Sequence, residues 1–291
     1  MYPSLHQQAQ PARVYWLDNP NESSARVRMH NYLAQSNVQH IAVPALDANR
    51  DVAGNVVRAS TLSHIRALRR IHKDAPRGQV AYVSENTLSF EYTPYWTTTL
   101  ERILHNAPED WGILQLSYIC SPATSSIVRN TSSRRGRRCL DDPFVVEKAV
   151  VGSSRAPFVP WTDVCTYGTT FYAVHPRGYH AVLRHVKRYK YDPLYCKQRI
   201  PRFHPDTDPS HLFALTRTYT FNVPLFTAVG IPRTIAFHHT HTQWYTAHKE
   251  RMDILVRAWH DRYVKWLAQH RADERGRCPE RFRLLWFNIS L

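Results

Sequence analysis

Glycine is scarce in this chain, 9 of 291 residues against 19 prolines, and neither recurs at a short interval. That excludes a collagen-like, fibrous or low-complexity protein. No uncharged apolar run approaches the ~20 residues a membrane-spanning helix needs. The Gln-rich residues 1–11 lack the basic and apolar regions of a secretory signal, so a cytoplasmic or otherwise soluble protein is expected. Cysteine is sparse too. Cys120, Cys139, Cys165, Cys196 and Cys278 are odd in number and scattered, without the close spacing of a zinc knuckle or redox pair, and reduced thiols are the default expectation. Acidic residues are few, 23 against 38 Lys+Arg, giving a formal charge of +15 and pointing to an anionic partner. No ribonucleoprotein motif or zinc finger accompanies the basic run Arg134-Arg135-Gly136-Arg137-Arg138, so nucleic acid is the less favoured of those partners.

Large side chains, by contrast, are plentiful: 8 Trp, 16 Tyr and 11 Phe, with 43% hydrophobic residues overall, offset the ordering entropy and rule out disorder for most of the chain. The length allows one large domain or two small ones. Arg13-Val14-Tyr15-Trp16-Leu17 reads as a buried strand ended by the polar turn Asp18-Asn19-Pro20-Asn21. A helix is predicted over 22–35, capped by Ser23 or Ser24, with Val27, Tyr32 and Leu33 as its apolar stripe and Arg26 and Arg28 elsewhere on its surface. A strand over 38–43 and a turn at Ala45-Leu46-Asp47-Ala48 follow. Leu62, Ile65, Leu68 and Ile71 recur at helical spacing before Pro76. A strand over 79–83 then runs into the polar cluster Ser84-Glu85-Asn86-Thr87, and polar residues at the carboxyl end of a strand in an alternating chain mark a candidate site.

Alternation continues through a helix at 97–106, a strand at 111–116, a β-rich segment at 166–174, a basic helix at 178–190 and a Thr- and aromatic-rich stretch at 212–226. Residues 247–270 read as a helical tail. The organisation expected is a flexible 1–12, one α/β domain over 13–230 and a helical C-terminal extension over 231–291 packed on the same domain.

Four blocks in this order resemble glycosyltransferase family 25, which contains lipopolysaccharide and procollagen galactosyltransferases. The first is Val14 through Asp18 with Arg26-Val27-Arg28-Met29, the turn Ala45-Leu46-Asp47-Ala48 standing where the family has an Ala-hydrophobic-Asp-Gly turn. The second, Ala59-Ser60-Thr61-Leu62-Ser63-His64, is similar to a Leu-Ser-His helix start. The third, 81–92, looks like a strand followed by an acidic metal motif and a Ser-Phe-Glu-Tyr continuation. The fourth joins Tyr167-Gly168-Thr169-Thr170-Phe171-Tyr172 with Thr218-Tyr219-Thr220 and Pro224-Leu225-Phe226. The resemblance implies a GT-A fold, a Rossmann-like mixed sheet flanked by helices, that passes a sugar from a UDP-sugar to a hydroxyl of a glycan or protein acceptor with inversion. It places Tyr15, Trp16, Leu17, Ser63, His64, Glu85 and Asn86 at the nucleotide.

A nucleoside diphosphate leaves readily only when its developing charge is neutralised, and GT-A enzymes commonly use Mn²⁺ or Mg²⁺ on an Asp-x-Asp motif. Where the family reads Glu-Asp-Asp, this chain reads Glu85-Asn86-Thr87, keeping one carboxylate of three. Three readings stay open: a transferase with weak metal binding, a metal-independent one relying on Arg or Lys, and an inactive relative that kept the fold as a binding protein. A basic nucleic-acid-binding protein is the alternative from another class. Asp208, beside the position where the family carries an acidic residue, is the candidate base, with Asp163 as substitute; ordinary turn chemistry between Pro205 and Pro209 is the simpler reading of Asp206 and Asp208. In Phe237-His238-His239-Thr240-His241, a strand would put His239 and His241 on one face, which makes them candidate metal ligands, although 17 histidines make chance clustering common. The aromatic pairs Tyr95-Trp96 and Trp244-Tyr245, and Trp161, suit a sugar, a base or the core alike.

Overall fold

The computed structural model describes residues 13–36, 38–76, 78–91, 100–120, 158–161, 166–188, 209–221 and 225–229, together with Thr246 and Glu250. In chain order these form β1 (Arg13–Asp18), α1 (Ser23–Gln35), β2 (His40–Pro44), α2 (Ala48–Asp51), α3 (Val56–Asp74), β3 (Ala81–Glu85), β4 (Leu88–Ser89), α4 (Leu100–His105), β5 (Ile113–Gln115), β6 (Ile119–Cys120), β7 (Phe158–Pro160), β8 (Thr166–Tyr167), β9 (Phe171–Val174) and α5 (Pro176–Arg188). A 3-10 helix (Pro209–Leu215), β10 (Thr218–Phe221) and β11 (Thr227–Ala228) complete them. Apart from Glu250, the predicted helical tail lies outside the described residues, as does the Arg134–Arg138 run.

Seven strands make one mixed sheet in the order β2-β1-β3-β9-β5-β10-β7. β1 is parallel to β2 and β3, and β5 is parallel to β10. β9 runs antiparallel to both its neighbours, β3 and β5, and β7 is an antiparallel edge. The class is α/β, as the alternation implies. β4 pairs with β11 and β6 with β8 in two small ribbons.

The side-chain period of two sorts β1 between two cores. Tyr15 and Leu17 join Val43, Val83 and Tyr172 beneath Ile65, Leu68 and Ile71 of α3 and Val182 and Val186 of α5. Val14 and Trp16 face the other way, with Met29 and Leu33 of α1 and Ile103 of α4. A sheet covered by helices on both faces buries both sides of its strands, and so β1 and β3 are apolar without alternation.

α3 is longer than the spacing of its leucines suggests, because Asn55 caps it: the Asn55 side chain accepts from the Arg58 N–H at 2.8 Å. In α1 the structure corrects the expected stripe. The inward residues are Ala25, Met29 and Leu33, four apart, whereas Val27 is 58% and Tyr32 40% exposed. Tyr32 instead stacks on Phe90 at 4.6 Å. Neither Ser23 nor Ser24 caps the helix; Glu22 occupies that position without a side-chain capping bond. At the start of α5, Gly178 faces Gly112 so closely that a Cβ on Gly178 would stand 2.1 Å from the Gly112 carbonyl oxygen.

Candidate functional site

After β1 the chain goes out to β2 and then returns across β1 to β3, with α1 on one face of the sheet and α3 on the other. The connections leaving β1 and β2 therefore pass to opposite faces, and the strand order reverses between β1 and β3. A doubly wound sheet opens its ligand crevice at such a reversal. A small cleft of about 80 Å³, open to solvent, lies there. Leu17, Asn19 and Glu22 line it from the β1–α1 connection, Ala45 to Ala48 from the end of β2, and Glu85, Asn86 and Thr87 from the end of β3. Val56, Ala59, Ser60 and Ser63, one face of the first two turns of α3, form the remaining wall.

Local chemistry fixes each wall. Asp47 accepts from the Asn49 and Arg50 N–H groups at 2.9 Å and so caps α2, while Asn21 donates to its other oxygen. The Arg50 N–H bond, then the Asn21 bond, hold the Asp47 carboxyl below the usual carboxylate range. Ala53 (φ 54°) and Gly54 (φ 84°) turn the chain from α2 into α3 through left-handed backbone. Ser63 then ties the β2 loop to that helix, accepting from the Leu46 N–H at 2.8 Å and donating to the Ala59 carbonyl at 2.7 Å. Glu22 accepts from Asn19 at 3.2 Å and from Asn86 at 2.9 Å, which links the ends of β1 and β3. Arg28 is not simply a surface residue. It is half-buried, and its guanidinium donates to the Asn86 carbonyl at 3.2 Å.

Glu85 is the most constrained group of the lining. Oε1 accepts from the Thr169 hydroxyl at 2.7 Å and lies 3.5 Å from Nε2 of the fully buried His64; Oε2 accepts from Thr87 at 3.3 Å. On its far side, His64 Nδ1 is 3.2 Å from the Tyr172 hydroxyl. Tyr172 can donate to Nδ1, while Nε2 approaches Glu85 without making a hydrogen bond. Gly168 (φ 99°), in left-handed backbone just before Thr169, turns the chain from β8 toward β9. Burial alone pushes the Glu85 carboxyl up, but His64 and the two threonine hydroxyls together outweigh it and bring the group below the usual value. Burial, and then the nearby Glu85 charge, push the Tyr172 hydroxyl up, keeping it neutral.

Of the residues expected at the nucleotide, Leu17, Ser63, Glu85 and Asn86 line this cleft, with Thr87 beside them, and His64 reaches it through Glu85. Tyr15 and Trp16 do not line it. Their rings are buried in the two cores, because strand positions within β1 point into the helix layers and only the end of β1 meets the cleft. Asp208, Asp163, His239 and His241 lie outside the described residues, as do Tyr95-Trp96 and Trp244-Tyr245. Trp161 is half-buried and packs edge-on to Phe213. The sequence reading did not single out Glu22, Arg28, Thr169 or Tyr172 as site residues. Only the Arg-containing helix and the Tyr-Gly-Thr-Thr-Phe-Tyr block carried a trace of them.

The set Glu85-Asn86-Thr87 does not fit a divalent cation. A hard ion wants several charged oxygens, and here the one carboxylate already accepts from Thr169 and Thr87, while Asn86 and Thr87 add only uncharged oxygens. Among the described residues, no three His, Cys, Asp or Glu side chains are grouped to hold a metal. No helix among them is long and apolar enough to cross a membrane. Comparison with family models, curated proteins and solved structures finds no match to the chain.

Proposed function

We propose that the protein is a glycosyltransferase of the family 25 type, built on a GT-A fold, that binds a UDP-sugar in the cleft at the ends of β1, β2 and β3. One observation carries the reading: three separate blocks of the resemblance meet in that cleft. Leu17 and Asp47 come from the first, Ser60 and Ser63 from the second, Glu85, Asn86 and Thr87 from the third. The small residues Ala45, Ala48 and Ala59 leave space for a ligand, and the amides and hydroxyls offer hydrogen bonds to ribose, base or sugar hydroxyls.

In the reaction, an acceptor hydroxyl loses its proton to a carboxylate base, for which Asp208 is the candidate, and its oxygen attacks the anomeric carbon opposite the diphosphate. The bond from that carbon to UDP breaks and the configuration inverts. Arg28, which donates to the Asn86 carbonyl, is the cation bonded to this end of β3 and the candidate to offset the leaving group's charge. A second reading, a binding protein that holds the nucleotide sugar without transferring it, is favoured by the loss of two carboxylates from the acidic motif.

Calorimetry with UDP, UDP-galactose and UDP-glucose, with and without Mn²⁺, tests the proposal. Saturable binding is expected, and no heat at about 1 mM nucleotide, a concentration matching a free energy of only ~4 kcal/mol, refutes it. Binding without donor hydrolysis or transfer selects the second reading.

A further inference from the structure

The side chain that resemblance assigns to a metal has a different set of partners here. Glu85 ends β3; it accepts from Thr169 in the β8–β9 connection and from Thr87 in its own turn, and His64 of α3 stands 3.5 Å away. Backbone bonding follows the same path, since the Glu85 N–H donates to the Thr170 carbonyl at 2.9 Å. Thr169 is 1% exposed and His64 fully buried, so these partners do not exchange readily for water. His64 is itself oriented by Tyr172 on β9, the strand that pairs with β3. A carboxylate removed from such a network leaves buried donors unpaired, which costs more than the net value of any one bond.

We infer that Glu85 is a latch rather than a metal ligand: it closes the wall between α3, β3 and the β8–β9 connection, with His64 and Thr169 as its positioning residues. The remnant of an acidic motif has become part of the scaffold, and the cleft takes its ligand without a divalent cation at this position. The part of this inference that concerns ligand affinity rests on the proposed function; the part that concerns the latch does not.

The test uses the full chain and three variants, Glu85→Gln, Thr169→Val and Thr169→Ser. Mn²⁺ alone is titrated and followed by the electron paramagnetic resonance signal of the free ion. No saturable site tighter than about 1 mM is expected. In thermal melts, Glu85→Gln and Thr169→Val are expected to fall by about 4 °C or more, while Thr169→Ser, which keeps the hydroxyl, returns to within ~1 °C of the parent. UDP affinity should drop about tenfold in Glu85→Gln and Thr169→Val alike and recover in Thr169→Ser, with Mn²⁺ making no difference. A sub-millimolar Mn²⁺ site that disappears in Glu85→Gln overturns the inference, and so does a Glu85→Gln melt equal to the parent. If the parent binds no UDP, the proposed function fails while the Mn²⁺ and melting results still decide the latch.

Discussion

Replacing Gly178 by Ala puts one methyl group where the backbone leaves no room. Its Cβ would stand 2.1 Å from the Gly112 oxygen, 2.6 Å from the Gly112 carbonyl carbon and 3.0 Å from its Cα. All three are main-chain atoms and cannot rotate aside, so the first turn of α5 has to lift off β5 by about 1 Å to restore contact distances. Overpacking of this kind costs about 1–3 kcal/mol. The bond from the His175 N–H to the Gly112 carbonyl, 2.9 Å long, weakens at the same time and adds up to ~1 kcal/mol. Ala is the better helix former by at most ~1 kcal/mol, which offsets part of the loss. The net is about 1–3 kcal/mol, or roughly 3–10 °C in melting temperature for a chain of this size. Gly112→Ala is the control. Its Cβ meets the Thr216 side chain at 2.2 Å, which can turn, and Gly178 Cα only at 3.1 Å, so a smaller loss is expected. Neither glycine has a positive φ, and the effect is therefore steric alone. Differential scanning fluorimetry of the two variants beside the parent reads the difference. A Gly178→Ala protein melting at or above the parent refutes the close packing of α5 on β5.

Two further outcomes follow from the core and from the latch. Leu68→Ala, at a fully buried α3 position under β1 and β3, is expected to lose about 2–5 kcal/mol, seen as a lower urea midpoint with an unchanged slope. The pH dependence has a fixed sign. Because the folded Glu85 carboxyl lies below its ordinary value of 4.5, its contribution is complete above that value and fades as pH falls through the folded one. The stability gap between the parent and Glu85→Gln should be flat between about pH 5 and 7 and shrink below about pH 4.5; a gap that widens on acidification contradicts the arrangement.

Local signals in the chain reported local structure well. The apolar runs of β1 and β3 and the spacing of Ile65, Leu68 and Ile71 identify elements that each bury a face, and Glu85, Asn86 and Thr87 at the end of β3 fall at the cleft because strand ends do. α1 was misread for a physical reason. Its inward contact is made by the small Ala25 and the flexible Met29, while the more conspicuous Val27 and Tyr32 are on the outside, so hydrophobicity alone picks the wrong side. The partners of Glu85 were illegible for another reason. His64, Thr169 and Tyr172 reach it only after β9 inserts beside β3, a pairing between residues that no local pattern connects.

That insertion also bears on how the chain comes off the ribosome. The unit β1-α1-β2-α3-β3 can assemble early, yet it leaves the Ala81–Glu85 strand with one unpaired edge until its partner Phe171–Val174 emerges some ninety residues later. At ordinary synthesis rates the wait is roughly 5 to 18 s. For that interval the nascent protein carries an apolar, unprotected strand edge, the kind that pairs with other chains. The same antiparallel strand that joins the two halves of the sheet thus makes a chaperone, or slow expression at low temperature, the expected requirement for a good yield of folded protein.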